Sequence, residues 1–341
     1  MINEVLVSVI MPVYNCELYV KDAVLSILNQ TFTNFEFIII DDKSTDETLN
    51  IIKSFVDTRI KLIEKPVNTG YTNSLNLGLS IAKGKYIARM DGDDISMPLR
   101  FEKQIGFLEN NPEVILCGSC FKILGTDKII SVPEWHDSIK VGMLLKNQIA
   151  HPTVMLRSSI IQENHLNYNI NKEPAEDFDL WCQILKFGRL HNLNEILLEY
   201  RMHKNQVSKT RSFKQKTVAV DLRISLLNQI YTFENTSDKL LYTNILQLSD
   251  DLTYDNYKQF IDLKNKLIPA NDNNFFNKVL FNQVIIDLEL NLVKKIVLHS
   301  KKYKPIMIEL ILKSRMISRQ IVSPTSVIKF FVKCLLSFHK K

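Results

Sequence analysis

The chain has little glycine, nine residues in 341, so neither low-complexity sequence nor long disorder is indicated. It also lacks any uninterrupted apolar stretch near the roughly 20 residues needed to span a bilayer. The opening segment MINEVLVSVIMPVYN has no basic residue ahead of its apolar run, carries Glu4 and has no small-residue cleavage site. A buried strand is therefore expected there, not a signal peptide. Cysteines are few and scattered: Cys16, Cys117, Cys120, Cys182 and Cys334. Cys117 and Cys120 form a CxxC inside the apolar run VILCGSC, but no second pair exists to complete a zinc site. Core packing in a reducing cytosol is the expectation. No internal repeat is evident.

What the chain does have is 45% hydrophobic residues, enough for a full core and an appendage. The formal charge of +6 is unevenly placed. Residues 294–341 hold twelve lysines and arginines against the single acid Glu309, so the rest of the chain is net acidic. Basicity belongs to a tail, and nucleic-acid binding by the whole protein is not expected.

Strand and helix signals alternate over the first 120 residues. VSVIMPV (7–13), FEFIIIDD (35–42), IKLIE (60–64), KYIARM (85–90) and EVILCG (113–118) read as strands, separated by apolar positions at helical spacing. Asp46 is a candidate cap for the second helix, and Pro98 opens a later one. Such alternation implies βαβ crossovers and a mostly parallel sheet covered on both faces. HPTVMLR (151–157) and ILLEYRMH (196–203) read as further strands, and EPAEDFDLWCQILKFG (173–188) as a loop entering a helix. Beyond about residue 210 the pattern is helical. Ser323 and Pro324 mark a helix start, followed by Ile328, Phe331, Val332, Leu335 and Leu336 on one stripe.

In open α/β sheets ligands bind at the carboxyl ends of strands. Three such ends are polar here: Pro12-Val13-Tyr14-Asn15, Asp41-Asp42, and Asp91-Asp93-Asp94 in the run KYIARMDGDD. Clustered carboxylates repel and lose hydration unless something compensates them. A divalent cation does so, oxygen ligands suit Mg²⁺ or Mn²⁺, and these ions bind diphosphates. A solvated Asp-Gly turn is the competing explanation.

PVYN (12–15), DDKSTDET (41–48), NTG (68–70), ARMDGDD (88–94), HPTVMLR (151–157) and AEDFDLW (175–181) occur in the order found in family-2 glycosyltransferases of the GT-A fold. The resemblance covers roughly residues 7–205 and is silent on 210–341. It implies an α/β GT-A catalytic domain over 1–210, followed over 211–341 by a helical C-terminal region with a basic amphipathic tail. It implies a UDP-sugar donor, a Mn²⁺ or Mg²⁺ cofactor and a glycan or lipid-linked saccharide acceptor in cell-surface polysaccharide synthesis. Asp42 would read the uracil N3–H, with Tyr14 packing on the ring and the backbone at Pro12 and Val13 framing it. Asp41 supports the ribose or a turn. Asp93 would ligate the metal, with Asp91 on the ribose or a metal-bound water, and His203 approaching the metal or diphosphate. Arg89 meets either a phosphate, the donor sugar or one of these acids. The general base falls on Asp177, with Glu176 orienting base or acceptor and Asp179 as rival. Trp181 is either a sugar-stacking platform or a core residue, and His151 is expected to be structural.

No nucleophilic Ser, Cys or Lys is marked, so single displacement with inversion is expected. The QxxRW element of processive synthases is absent, which implies one sugar per encounter. The basic tail fits docking on an anionic inner leaflet from the cytoplasmic side, or a helical bundle with solvated lysines. Two other classes stay open. One is a nucleotide-sugar binding or scaffolding protein without turnover. The other, a nucleotidyltransferase, predicts a Gly-rich phosphate loop that MPVYNCEL does not supply.

Overall fold

In the computed structural model, residues 6–204, 206, 210–247, 249, 252–299, 303–310 and 323–337 are described. The chain divides into two compact units: Met1–Lys140 with Asn147–Ala219, and Val141–Lys146 with Val220–Lys341.

The first unit runs β1 (Val7–Val13), α1 (Val20–Leu28), β2 (Phe35–Asp41), α2 (Thr48–Lys53), β3 (Ile60–Glu64), α3 (Tyr71–Ile81), β4 (Tyr86–Arg89), β5 (Ile95–Ser96), α4 (Arg100–Asn110), β6 (Val114–Ile123), β7 (Ile129–Ile130), α5 (His136–Gly142), β8 (Met155–Arg157), α6 (Ser158–Glu163), α7 (Glu176–Ile184) and β9 (Arg189–Tyr200). One sheet has the order β3-β2-β1-β4-β8-β6-β9-β5, with β7 beside β6. The half built by the expected crossovers, β3-β2-β1-β4, is parallel. β8 then enters antiparallel to both β4 and β6, while β6 and β9 pair in parallel. β1 and β2 are buried at every residue, which explains why they read as continuous apolar runs. The strand expected across HPTVMLR is shorter: His151–Thr153 is a 3₁₀ turn and only Met155–Arg157 pairs.

Two local features set the strand ends at the site. Pro12 shares the parity of Ile10, whose carbonyl accepts the Met90 N–H. The rung that Pro12 cannot donate would be the next one toward Met90, and β4 stops at Arg89. The chain is thereby released into the acidic turn. Gly92 then lets that turn lie against the end of β1, because a Cβ there would sit 2.9 Å from Val13 Cγ1 and 3.2 Å from Cys16 Sγ.

The second unit is helical, with helices Thr236–Gln247, Tyr254–Ala270, Lys278–His299 and Pro324–Leu335. Thr253 and Asn256 form a reciprocal cap on the second of these. Phe260, Leu263, Phe281, Ile285, Val293 and Ile296 are buried in its core. Ser323 caps the last helix, accepting the Ser326 N–H, with Pro324 in the first turn. That helix buries Val327, Phe330 and Cys334 and leaves Ile328, Val332, Leu335 and Leu336 exposed. No helix among the described residues is long and apolar enough to cross a membrane.

Candidate active site

Asp42 leaves β2 with its N–H bonded to the Val13 carbonyl at 2.9 Å, so Pro12 and Val13 lie beside it. Its buried carboxylate accepts Lys65 Nζ at 2.5 Å and the backbone N–H groups of Thr69 and Gly70 at 3.0 and 2.8 Å. Gly70 has φ +91°, a conformation that favours glycine and here starts α3 while aiming its N–H at Asp42. Asp41 takes the turn role: its carboxylate accepts the Ser44 N–H at 3.1 Å. Tyr14 is 49% exposed, so its ring faces solvent at this strand end and is not a core aromatic.

At the end of β4, Asp91, Asp93 and Asp94 bring carboxylate oxygens within 4.8 Å of one another. Asp93 Oδ2 meets His203 Nε2 at 2.7 Å. Arg201, just past β9, donates its backbone N–H to Asp94 Oδ1 at 2.9 Å and its Nε to the Asp93 carbonyl at 2.8 Å. The Tyr19 ring lies against both Arg201 and His203, 4.9 Å and 4.8 Å away. Arg89, buried, forms an ion pair with Asp91. Burial, and then the charge of Asp91, push the Asp93 carboxyl above its usual range. Burial with Asp91 and Asp93 push Asp94 well above it. Asp94 Oδ2 is buried with no hydrogen-bond partner among the described residues. Mutual repulsion and an orphaned carboxylate oxygen are what a hard divalent cation relieves, and three carboxylates are oxygen ligands of the kind that suit Mn²⁺ or Mg²⁺.

The third group opens α7. Asp177 Oδ1 accepts the Phe178 N–H at 2.7 Å and Oδ2 accepts Asn147 Nδ2 at 2.9 Å. Glu176 is buried and its Oε2 accepts the Tyr71 hydroxyl at 2.8 Å. Burial raises Asp177 to about 6 against the lowering pull of the Phe178 N–H, Arg89 and Asn147. Burial and the neighbouring Asp177 raise Glu176 to about 8. The two carboxyls titrate as one pair raised by burial, and the Phe178 and Asn147 donors favour the negative charge on Asp177. Asp179 instead accepts Gln183 Nε2 at 2.8 Å within its own helix. Trp181 is fully buried, edge-on to His151, so it is a core residue and no sugar platform. His151 is buried against the Tyr168 hydroxyl at 2.9 Å.

These groups converge. Arg89 pairs with Asp91 and also acts electrostatically on Asp177 and Glu176. Residues 69–71 touch both Asp42 and Glu176. Sequence reasoning missed Lys65, Tyr71, Asn147 and Arg201. Tyr71 and Arg201 directly follow the segments NTG and ILLEY, whereas nothing in the sequence marks Lys65 or Asn147.

The family model for glycosyl transferase family 2 matches residues 8–163. An uncharacterized glycosyltransferase of Haemophilus influenzae is 38% identical over 232 residues, covering 64% of this chain and 72% of that protein. The chain belongs to glycosyltransferase family 2. A further relative is the Escherichia coli UDP-Glc:alpha-D-GlcNAc-diphosphoundecaprenol beta-1,3-glucosyltransferase WfaP, 37% identical over 212 residues, or 62% of this chain and 82% of that one. Among solved structures, S. aureus TarS 1-349 in complex with UDP-GlcNAc aligns with a TM-score of 0.57 and 16% identity, over 96% of this chain and 89% of that one. That similarity shows the shared GT-A fold. The protein is thus a glycosyltransferase with a GT-A catalytic fold and a helical C-terminal region.

Proposed function

We propose that this glycosyltransferase moves one sugar from a UDP-sugar to a hydroxyl of a glycan or lipid-linked acceptor, with inversion at the anomeric carbon, in cell-surface polysaccharide synthesis. One observation supports the reading: residues 69–71 bond to both Asp42 and Glu176, while Arg89 pairs with Asp91 and its charge also acts on Asp177. The name of the relative WfaP, a UDP-glucose enzyme acting on a diphosphoundecaprenol-linked sugar, supports the donor and acceptor classes.

Asp42 accepts the uracil N3–H with its remaining lone pair, and exposed Tyr14 covers the ring beside Pro12 and Val13. Asp93, with Asp91 and His203, would hold Mn²⁺ or Mg²⁺, and that ion would offset charge on the departing diphosphate. Arg89 adds a fixed positive charge between the diphosphate end and the base. Asp177 takes the acceptor hydroxyl proton. The acceptor oxygen bonds to the anomeric carbon from the face opposite the leaving group, and the bond from that carbon to the phosphate oxygen breaks to release UDP. Glu176, held by the Tyr71 hydroxyl, orients the acceptor or Asp177. A binding protein without turnover has no need of an ionised carboxylate held by Asn147 and Phe178, and that geometry favours the enzyme. Metal-dependent UDP release across a panel of UDP-sugars tests the reading, and no release with any donor would contradict it.

Residues 1–210 carry this chemistry and 211–341 form a helical appendage that docks on an anionic inner leaflet from the cytoplasmic side. Exposure of Ile328, Val332, Leu335 and Leu336 beside Lys329 and Lys333 supports docking. Replacing Ile328 and Leu335 by Glu is expected to cut co-sedimentation with phosphatidylserine vesicles about tenfold. Equal pelleting of both proteins would refute docking.

A further inference from the structure

Four consecutive residues hold the donor side and the base side at once. The backbone N–H groups of Thr69 and Gly70 bind Asp42 at 3.0 and 2.8 Å. The next two side chains face the other way: the Tyr71 hydroxyl donates to Glu176 Oε2 at 2.8 Å and Thr72 Oγ1 to Glu173 Oε2 at 2.7 Å. All four lie at or next to the first turn of α3, so one turn carries both sets of hydrogen bonds. The helix cannot easily slide, because Gly78 lies so close to β1 that a Cβ would sit 2.5 Å from Ile10 Cγ2. One turn further on, Asn76 fastens the loop before α7 from both sides, its amide exchanging hydrogen bonds with the Tyr168 backbone at 2.8 Å each.

We propose that the 69–72 turn couples seating of the nucleotide at Asp42 to placement of the Glu176–Asp177 base, with Tyr71 as the positioning residue. The inference rests on reading Asp177 as the base and Asp42 as the nucleotide reader. Tyr71 touches neither donor nor acceptor in this scheme. Its half-buried phenol lies near Glu176, Glu173 and Asp177, and desolvation together with those acids keeps it un-ionised and therefore a donor. Arg89 and Tyr168 face the same pair from β4 and from the loop before α7. Removal of the Tyr71 hydroxyl leaves Glu176 Oε2 without that partner and frees the carboxyl to turn.

The test combines kinetics with amide hydrogen exchange on the full chain, using UDP with Mn²⁺ as the probe. In the unsubstituted protein, UDP is expected to slow exchange over both 65–72 and 173–179. In Tyr71→Phe the first protection remains and the second is lost. The kcat of this variant falls on the order of tenfold, while UDP affinity and donor KM stay within about twofold, as befits one lost hydrogen bond to a carboxyl. Thr72→Val, which removes the Glu173 bond, is expected to weaken protection at 173–179 in the same direction. Absence of any UDP response at 173–179 in the unsubstituted protein overturns the coupling, whether or not either variant folds. Unchanged kcat in Tyr71→Phe, alongside an inactive Asp177→Asn, overturns it too. Full activity in Asp177→Asn would instead overturn the assignment of the base.

Discussion

Two strand ends in the catalytic unit carry acids, and they are finished differently. At the end of β2, Asp42 is met by a lysine and two backbone N–H groups. At the end of β4, three carboxylates share one guanidinium, one imidazole and one backbone N–H, and an oxygen of Asp94 has no partner among the described residues. Residue type is the same and both lie at strand ends, but the first is buried and compensated while the second is a partly exposed cluster with less compensation. A carboxylate held by fixed donors is an oriented acceptor, suited to reading a hydrogen-bond donor on a ligand. An under-compensated cluster is a site for added positive charge.

The Glu176–Asp177 pair, which serves neither strand end, gives the largest expected effect. Asp177→Asn should lower single-turnover transfer about 10³-fold while leaving UDP affinity nearly unchanged, because a carboxamide cannot take the proton. Asp93→Ala should reduce turnover on the order of 10²-fold and abolish the response of UDP binding to Mn²⁺, measurable by calorimetry. Asp42→Asn should weaken UDP binding about tenfold yet preserve that response. If both variants lost it, the contrast between the strand ends would collapse. The smallest effect concerns pH. Because burial raises Asp177 to about 6, kcat should fall about tenfold per unit as pH drops below that value and the base takes up its proton. A profile flat down to pH 5 would contradict the assignment.

The parallel half of the sheet was legible because β1, β2 and β4 are buried throughout and their apolar runs are unbroken. The antiparallel entry of β8 was not, since three paired residues after a 3₁₀ turn leave too short a pattern. Tyr14 and Trp181 show the limit for aromatics: the sequence allowed surface or core for each, and tertiary packing puts the first at the surface and the second in the core. The acidic site residues stood out because carboxylates at strand ends are conspicuous. Asn147 and Lys65 did not, for an amide in a loop and a lysine after a strand look ordinary until the fold brings acids beside them. The terminal helix is a similar case. Its apolar stripe was visible, but the choice of Val327, Phe330 and Cys334 as the packed face depends on neighbours such as Tyr303, whose ring lies 5.8 Å from Phe330.

The acidic turn after β4 and the polar end of β2 are proposed to serve one metal-bound nucleotide diphosphate. Calorimetric titration of UDP with and without Mn²⁺ tests it most directly. Mn²⁺ is expected to tighten UDP binding in the unsubstituted protein and to have no effect in Asp93→Ala. Equal affinity with and without the ion in the unsubstituted protein would contradict it.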